Sequence, residues 1–411
     1  MKRVRLPSPA PGLQGTHRVP LLFHHGSSPR SSEPMVSEER PPPFRPLGER
    51  LRDRTPGIPA TAGMVAANVL VFAAMLAAGA GLWHTPNQVQ LAWGANFGPA
   101  TKDGEWWRLV TAMFLHFGLV HLAMNMLALW DGGRLVERMY GHGRFLAIYV
   151  AAGLTGNLAS LIAQGDRAVS GGASGAIFGV YGALMVFLWR ERENLHVAEF
   201  RWLFWGAAGF TAATIAFGLL VPGIDNAAHL GGLAAGALTG ATLAVPLTRS
   251  RVRRTPRLAA AAVLLAAWAG MLTHVPAPRY DWSEEMAARG GIREFLAEDA
   301  RIAAQWQALL DQGRRDGMSF EELAGRIESQ VVDRYERNFE DLASIHLDPA
   351  APSAPTVEAL RRYAELRRDA SRDLAEAIRD KDVGRARAAL EKAKRADALA
   401  GKAPRPPPPQ R

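Results

Sequence analysis

Long apolar runs separated by short charged turns occupy the middle of this 411-residue chain. Residues 63–83, 145–163, 202–221, 227–247 and 258–275 are apolar almost throughout, each close to the roughly 20 residues that a helix needs to cross a bilayer. The stretch 106–130 and the glycine-led stretch 174–189 bring the expected spans to seven. Before them, residues 1–60 are polar and proline-rich without apolar periodicity, which predicts a disordered tail. The first apolar run lies too far along the chain for a secretory signal peptide, and Met35 offers an alternative start. After the last run the pattern turns to mixed charge and alanine. Leu360, Tyr363, Ala370, Leu374 and Ala377 recur there at helical spacing. The expected architecture is all-α: a polytopic membrane helix bundle followed by a small soluble helical domain.

Charge changes this picture in one respect, orientation. The formal net charge is +9, but the basic residues flank the spans rather than forming a stripe interleaved with stacking aromatics, so nucleic-acid binding is not expected. Arg134, Arg138 and Arg144 follow span 2, and Arg190, Arg192 and Arg201 follow span 4. Arg249, Arg251, Arg253, Arg254 and Arg257 follow span 6, whereas the opposite loops hold little beyond Lys102, Arg108 and Arg167. Arginine excess marks the cytoplasmic side. The N-terminus is therefore expected in the cytoplasm and the C-terminal domain outside it. Anionic lipid is the natural partner of those arginines. The chain contains no cysteine, which excludes disulfides, thiolate catalysis and zinc–sulfur sites.

Polar side chains inside spans are costly and call for a reason. His121 and Asn125, four residues apart, share a helix face; Ser174 opens span 4 and His229 opens span 6. The inferred topology starts spans 4 and 6 at the same membrane depth, and span 2 joins them if it begins near Leu119. Gly171, Gly175 and Gly179 recur every four residues around Ser174, and Ala228, Gly232, Gly236 and Gly240 do so beside His229. Small residues at this spacing let helices approach closely in lipid. A serine brought within reach of an imidazole is an activated nucleophile. Taken singly, Ser174 also reads as a helix cap and the glycines as packing. A soluble-hydrolase nucleophile elbow does not fit, because no β pattern precedes Ser174. His84, His142, His196 and His274 fall at span ends, and the tryptophans Trp83, Trp106, Trp107 and Trp202 fit an aromatic belt.

With these residues in view, the chain resembles the rhomboid family of intramembrane serine proteases. The resemblance is carried by "GEWWRLVTAMFLHFGLVHLAMNMLALW" (104–130), "GGRLVERMYG" (132–141), "GGASGAIFGVYGAL" (171–184) and "NAAHLGGLAAG" (226–236). It covers about residues 63–247 and neither flank. It implies Ser174 as nucleophile and His229 as general base, without an aspartate. It also implies an oxyanion hole from His121, Asn125 and the Ser174 backbone N–H, and Phe178 stacked on the imidazole. Trp107-Arg108 matches a pair in the family's first outer loop, which places 106–117 in that loop; Glu137 matches a structural glutamate. Gly172, Gly175 and Gly232 are expected to support the site.

The implied layout is a cytoplasmic tail (1–60), a six-helix catalytic domain (61–250), a seventh helix with its flanks (251–278), an exoplasmic helical domain (279–400) and a flexible tail (401–411). The implied activity is cleavage of transmembrane proteins in or beside their spans, at small residues, with no metal or organic cofactor; the arginine- and alanine-rich composition suggests a bacterial inner membrane. Two other classes are weighed. A catalytically inactive relative that escorts membrane clients would typically have lost the serine or histidine, and both are kept. A small-solute transporter would show inverted repeats and broken spans, and the sequence shows no such repeat.

Overall fold

The computed structural model describes residues 45–247 and 255–400. The expected tail over 1–44, the arginines Arg249, Arg251, Arg253 and Arg254, and the tail 401–411 lie outside the described residues. The expectation of disorder up to residue 60 needs correction. A short helix, α1 (Leu47–Arg54), buries Leu47 and Leu51, and α2 (Pro59–Ala77) already begins at Pro59. Two leucines four apart in an otherwise charged octet are enough to seat one helical turn, but too few to register as a period.

A layered loop follows α2, built from α3 (Asn87–Ala92), β1 (Asn96–Phe97), α4 (Gly98–Lys102), α5 (Arg108–Thr111) and a 3-10 turn at Ala112–Phe114. Then come α6 (Leu119–Tyr140), α7 (His142–Gln164), β2 (Val169–Ser170), α8 (Ser174–Glu191), α9 (Val197–Leu220), α10 (Asn226–Leu243) and α11 (Thr255–Thr273). Every expected span except 106–130 is thus a single helix. By length and apolarity alone, α2, α7 and α9 qualify as membrane-crossing among the described residues, and the α5–α6 pair does so across a 93° bend. The helices α8, α10 and α11 are shorter or more glycine-rich.

That bend corrects the continuous run 106–130. The chain turns at Gly118, whose φ of +159° a side chain rarely adopts, and α6 begins at Leu119. Hydropathy does not see the break because both arms are apolar. The 78–118 loop is instead held by polar bonds: the buried Arg108 donates to the carbonyls of Leu91 (2.7 Å) and Ala95 (3.1 Å) and pairs with Glu105, while Thr111 Oγ1 donates to Gly94 O at 2.7 Å. Asn157 on α7 donates to Leu109 O and accepts, through its own carbonyl, from Asn96, which ties the loop to the bundle.

The tightest seam joins α8 to α10. A Cβ on Gly232 would strike the backbone of Gly175, and one on Gly236 would strike that of Gly179. Both glycine faces therefore pack as their spacing predicts, except that Gly171 lies before the helix, against the carbonyls of Leu115 and Ala112. Outward positions such as Trp202, Trp205 and Leu219 on α9 are exposed and apolar, as lipid requires.

The bundle has two distinct ends. At one, α1 reaches the starts and ends of several helices: Leu47 N donates to Glu199, Arg50 to Asn194 O and Arg54 to the carbonyls of Val245 and Pro246. The arginines at 134, 138, 144, 190, 192 and 201 lie in the helix ends and the 3-10 turn at this end. Glu137 lies beneath it, fully buried, and accepts from Ala60 N, Thr61 N, Thr61 Oγ1 and the His142 ring. The carboxylate thereby caps α2, whose first amides have no helical partner.

The other end carries the start of α8 and the C-terminal helices: α12 (Trp282–Asp316), α13 (Phe320–Ile327), a π-helical turn, α14 (Asp333–Ala343), α15 (Ala354–Arg379) and α16 (Val383–Ala400). They close over two apolar clusters, one around Phe295, Leu360 and Tyr363 and another around Ile302, Val331 and Tyr335. The expected core positions Leu360, Tyr363, Ala370, Leu374 and Ala377 are all buried. The entry of α12 is seated on the outer loop. The Trp282 ring meets Phe97 edge-on at 5.4 Å, Ser283 N donates to Asp103, and the Lys102–Asp166 ion pair lies beneath.

Candidate active site

Ser174 is the first residue of α8, so its own N–H and those that follow have no partner within the helix. The approach is an abrupt turn. β2 pairs antiparallel with β1, Ser170 opposite Asn96, and Gly172 N donates to Ala112 O at 2.8 Å. Gly172 has φ +139°, and a Cβ there would lie 3.0 Å from the His121 ring. Glycine is required on both grounds. A two-residue strand thus precedes Ser174, contrary to the expectation of no β structure. It is one rung of a bridge to the outer loop, not the sheet strand of a nucleophile elbow.

His229 lies in the first turn of α10. Its Nε2 is 2.9 Å from Ser174 Oγ, and its ring stacks on Phe178 at 4.3 Å with 2° between planes. Phe178 is one turn along α8 from Ser174, so a single helix supplies both the hydroxyl and the surface that orients the imidazole. Such close approach depends on the glycine seam: a Cβ at Gly175 would meet Ala228 O at 3.3 Å, and one at Gly232 would meet the Gly175 carbonyl. His229 is 5% exposed, and among the described residues its Nδ1 has no hydrogen-bond partner. The arrangement is a pair, not a triad.

His121 and Asn125 stand on the facing side, on α6. His121 Nδ1 accepts from Phe117 N at 3.4 Å. An accepting Nδ1 puts the ring proton on Nε2, the atom beside Gly172. Asn125 gives one amide proton to His121 O at 2.9 Å, which fixes the side chain and leaves its second N–H for another acceptor. His116 is buried edge-on against His121 at 5.1 Å between ring centres. Trp107 covers Arg108 at 4.7 Å, inside the loop between α2 and α6. The structure brings Ser174, His229 and Phe178 into contact and sets Gly172 against His121 and Gly175 against Gly232, with Asn125 one turn along α6 from His121.

One residue escaped the sequence reading. Asp225, the N-cap of α10, accepts from Ala228 N at 3.0 Å, from Ser170 Oγ at 2.9 Å and from Ser160 Oγ. An aspartate just ahead of an apolar helix is a recognisable start signal. Its two serine partners lie 55 and 65 residues away, and nothing local announces them.

Comparison with known proteins identifies the central domain. Residues 103–246 match the Rhomboid domain model. The chain is 41% identical over 188 residues to Rhomboid protease GluP of Bacillus subtilis (strain 168), covering 46% of this chain and 35% of that protein. It is 39% identical over 147 residues to RHOMBOID-like protein 5 of Arabidopsis thaliana, covering 34% of this chain and 45% of the relative. Putative rhomboid protease YdcA of B. subtilis is 33% identical over 145 residues, which make up 35% of this chain and 70% of YdcA. The chain thus spans less than half the length of the first two relatives and most of the third. With a rhomboid domain across its central helices and a polytopic helical architecture, this integral membrane protein belongs to the rhomboid family.

Proposed function

We propose that this protein is an intramembrane serine endopeptidase that cleaves transmembrane proteins in or next to their membrane segments. The observation that carries the reading is the 2.9 Å contact between Ser174 Oγ and His229 Nε2 on two helices whose glycine faces touch. In the proposed mechanism Ser174 Oγ attacks the scissile carbonyl carbon while its proton passes to His229 Nε2. The carbonyl oxygen becomes an oxyanion that receives hydrogen bonds from His121 Nε2–H, the second Asn125 N–H and the Ser174 backbone N–H. The imidazolium then protonates the leaving amine, and water repeats the sequence on the acyl-enzyme.

A positioned base contributes about 10²–10⁴ in rate and one oxyanion donor about 10²–10³. The N-terminus of α8 adds its positive dipole end near the developing charge. The stacked Phe178 takes the place of a third residue in holding the ring.

The proposed layout assigns 61–250 to the catalytic domain, 251–278 to the seventh helix and its flanks, and 279–400 to a helical domain on the exoplasmic side. The arginine-rich turns by α1 face the cytoplasm of a bacterial inner membrane. Transmembrane proteins are the substrates and lipid is the constant partner. The test is reconstitution in liposomes with a single-pass protein bearing small residues at the outer edge of its span. The wild type cuts it within the membrane-proximal segment, and Ser174→Ala does not. Intact substrate with folded wild type, across several such spans, would instead support an inactive client-binding relative.

A further inference from the structure

The α8–α10 seam brings Ser174 and His229 together but does not by itself fix their height along the helix axes. Near the pair its contacts are glycine against backbone, Gly232 on Gly175 and Gly236 on Gly179, while at the far end Arg190 on α8 donates to Ala241 O on α10 at 2.6 Å. A smooth seam resists separation better than sliding. The imidazole has two supports, Ser174 Oγ and the face of Phe178, and both lie on α8. Its remaining nitrogen, buried, has no partner among the described residues. At the Ser174 end, the start of α10 is held from outside α8, by Asn226 on Ile215 O and by the bonds of Asp225.

We propose that Asp225 is the positioning residue that holds His229 in register with Ser174, by tying the start of α10 to both segments that flank the nucleophile. This rests on the dyad reading above. Oδ1 caps α10 through Ala228 N, and the backbone carbonyl of Asp225 accepts from His229 N at 3.1 Å. Oδ2 accepts from Ser170, four residues before Ser174 and itself pinned in the β1–β2 rung, and from Ser160 on α7. α7 also backs the seam, since a Cβ on Gly156 would meet Ala228 O at 2.7 Å and Gly175 Cα at 3.4 Å. One carboxylate therefore joins the histidine helix, the serine turn and the helix behind both. Among the described residues it makes no hydrogen bond to the imidazole, so it acts through the backbone. The hydroxyls of Ser160 and Ser170 both donate to Asp225 Oδ2, so their loss removes the link and spares the cap.

The experiment uses the full chain in detergent or liposomes. It compares wild type, Asp225→Ala, Asp225→Asn and the Ser160→Ala/Ser170→Ala double variant, which keeps the helix cap. A displacement of about 1 Å costs on the order of 100-fold in rate. The double variant and Asp225→Ala should lose about 10- to 100-fold in kcat with KM within about twofold, and fluorophosphonate labelling of Ser174 should slow in parallel. Asp225→Asn retains the cap oxygen and an amide that still bonds both hydroxyls, so it should recover most of the loss. A merely structural role would lower the unfolding temperature while folded protein keeps its kcat. If Asp225→Ala does not fold, the double variant decides. Wild-type kcat in the folded double variant overturns this inference alone, whereas a wild type that neither labels nor cleaves overturns the dyad reading and this inference with it.

Discussion

Asn125 and His121 are prepared differently for the oxyanion role proposed for both. Asn125 donates one proton to the His121 carbonyl, so its amide is oriented before any substrate arrives. His121 accepts from Phe117 N and thereby also secures the bend into α6. Asn125→Ala should therefore lower kcat by about 10²–10³ with the unfolding temperature almost unchanged. His121→Ala should lower both, because Phe117 N loses its acceptor. Single-turnover cleavage together with thermal unfolding separates the two. At this scale most of the site was legible in the sequence, because ionisable residues inside apolar runs have few inexpensive explanations. Asp225 was not, since a capping aspartate is ordinary and its serine partners are close only after folding.

At the scale of elements, the account rests on the glycine seam. Gly232 faces backbone atoms of Gly175, which cannot move aside as a side chain can, whereas Gly206 on α9 has open space around its would-be Cβ. Gly232→Ala should cost about 1–3 kcal/mol of stability through overpacking and reduce the activity of the folded fraction by parting Ser174 from His229. Gly206→Ala should be neutral or stabilising, because it only restricts the unfolded chain. Thermal unfolding of the two variants in one detergent reads opposite signs. The seam could be read in advance from residues spaced four apart. The break between α5 and α6 could not, since a backbone turn at Gly118 leaves hydropathy unchanged. Nor could α1, whose anchoring to Glu199, Asn194 and Val245 depends on helix ends remote in sequence.

At the scale of the whole molecule, the C-terminal helices and the Ser174–His229 pair share one end of the bundle, and α1 marks the other. Because the chain has no native cysteine, single introduced thiols report topology cleanly. Glu321→Cys should react with a membrane-impermeant maleimide from outside intact spheroplasts, and Glu49→Cys only after permeabilisation. The reverse pattern would contradict the proposed orientation. The C-terminal helices are held on the loop between α2 and α6 by Trp282 on Phe97, next to the Lys102–Asp166 pair, whose side chains are 3% and 10% exposed. Asp166→Ala leaves Lys102 buried without its counter-charge, a loss of about 3–5 kcal/mol. Limited proteolysis should then cut near 274–281 in the variant well before the wild type. Composition separated this domain from the bundle, but its seat on the loop depends on aromatic and ionic contacts that no local pattern announces.

The central claim is that a hydroxyl on α8 is activated by an imidazole on α10. Mass-spectrometric mapping of a fluorophosphonate adduct tests it most directly. The account predicts one adduct, on Ser174, formed by the wild type and absent from folded His229→Ala. An adduct on another serine, or equal labelling of Ser174 without His229, would contradict it.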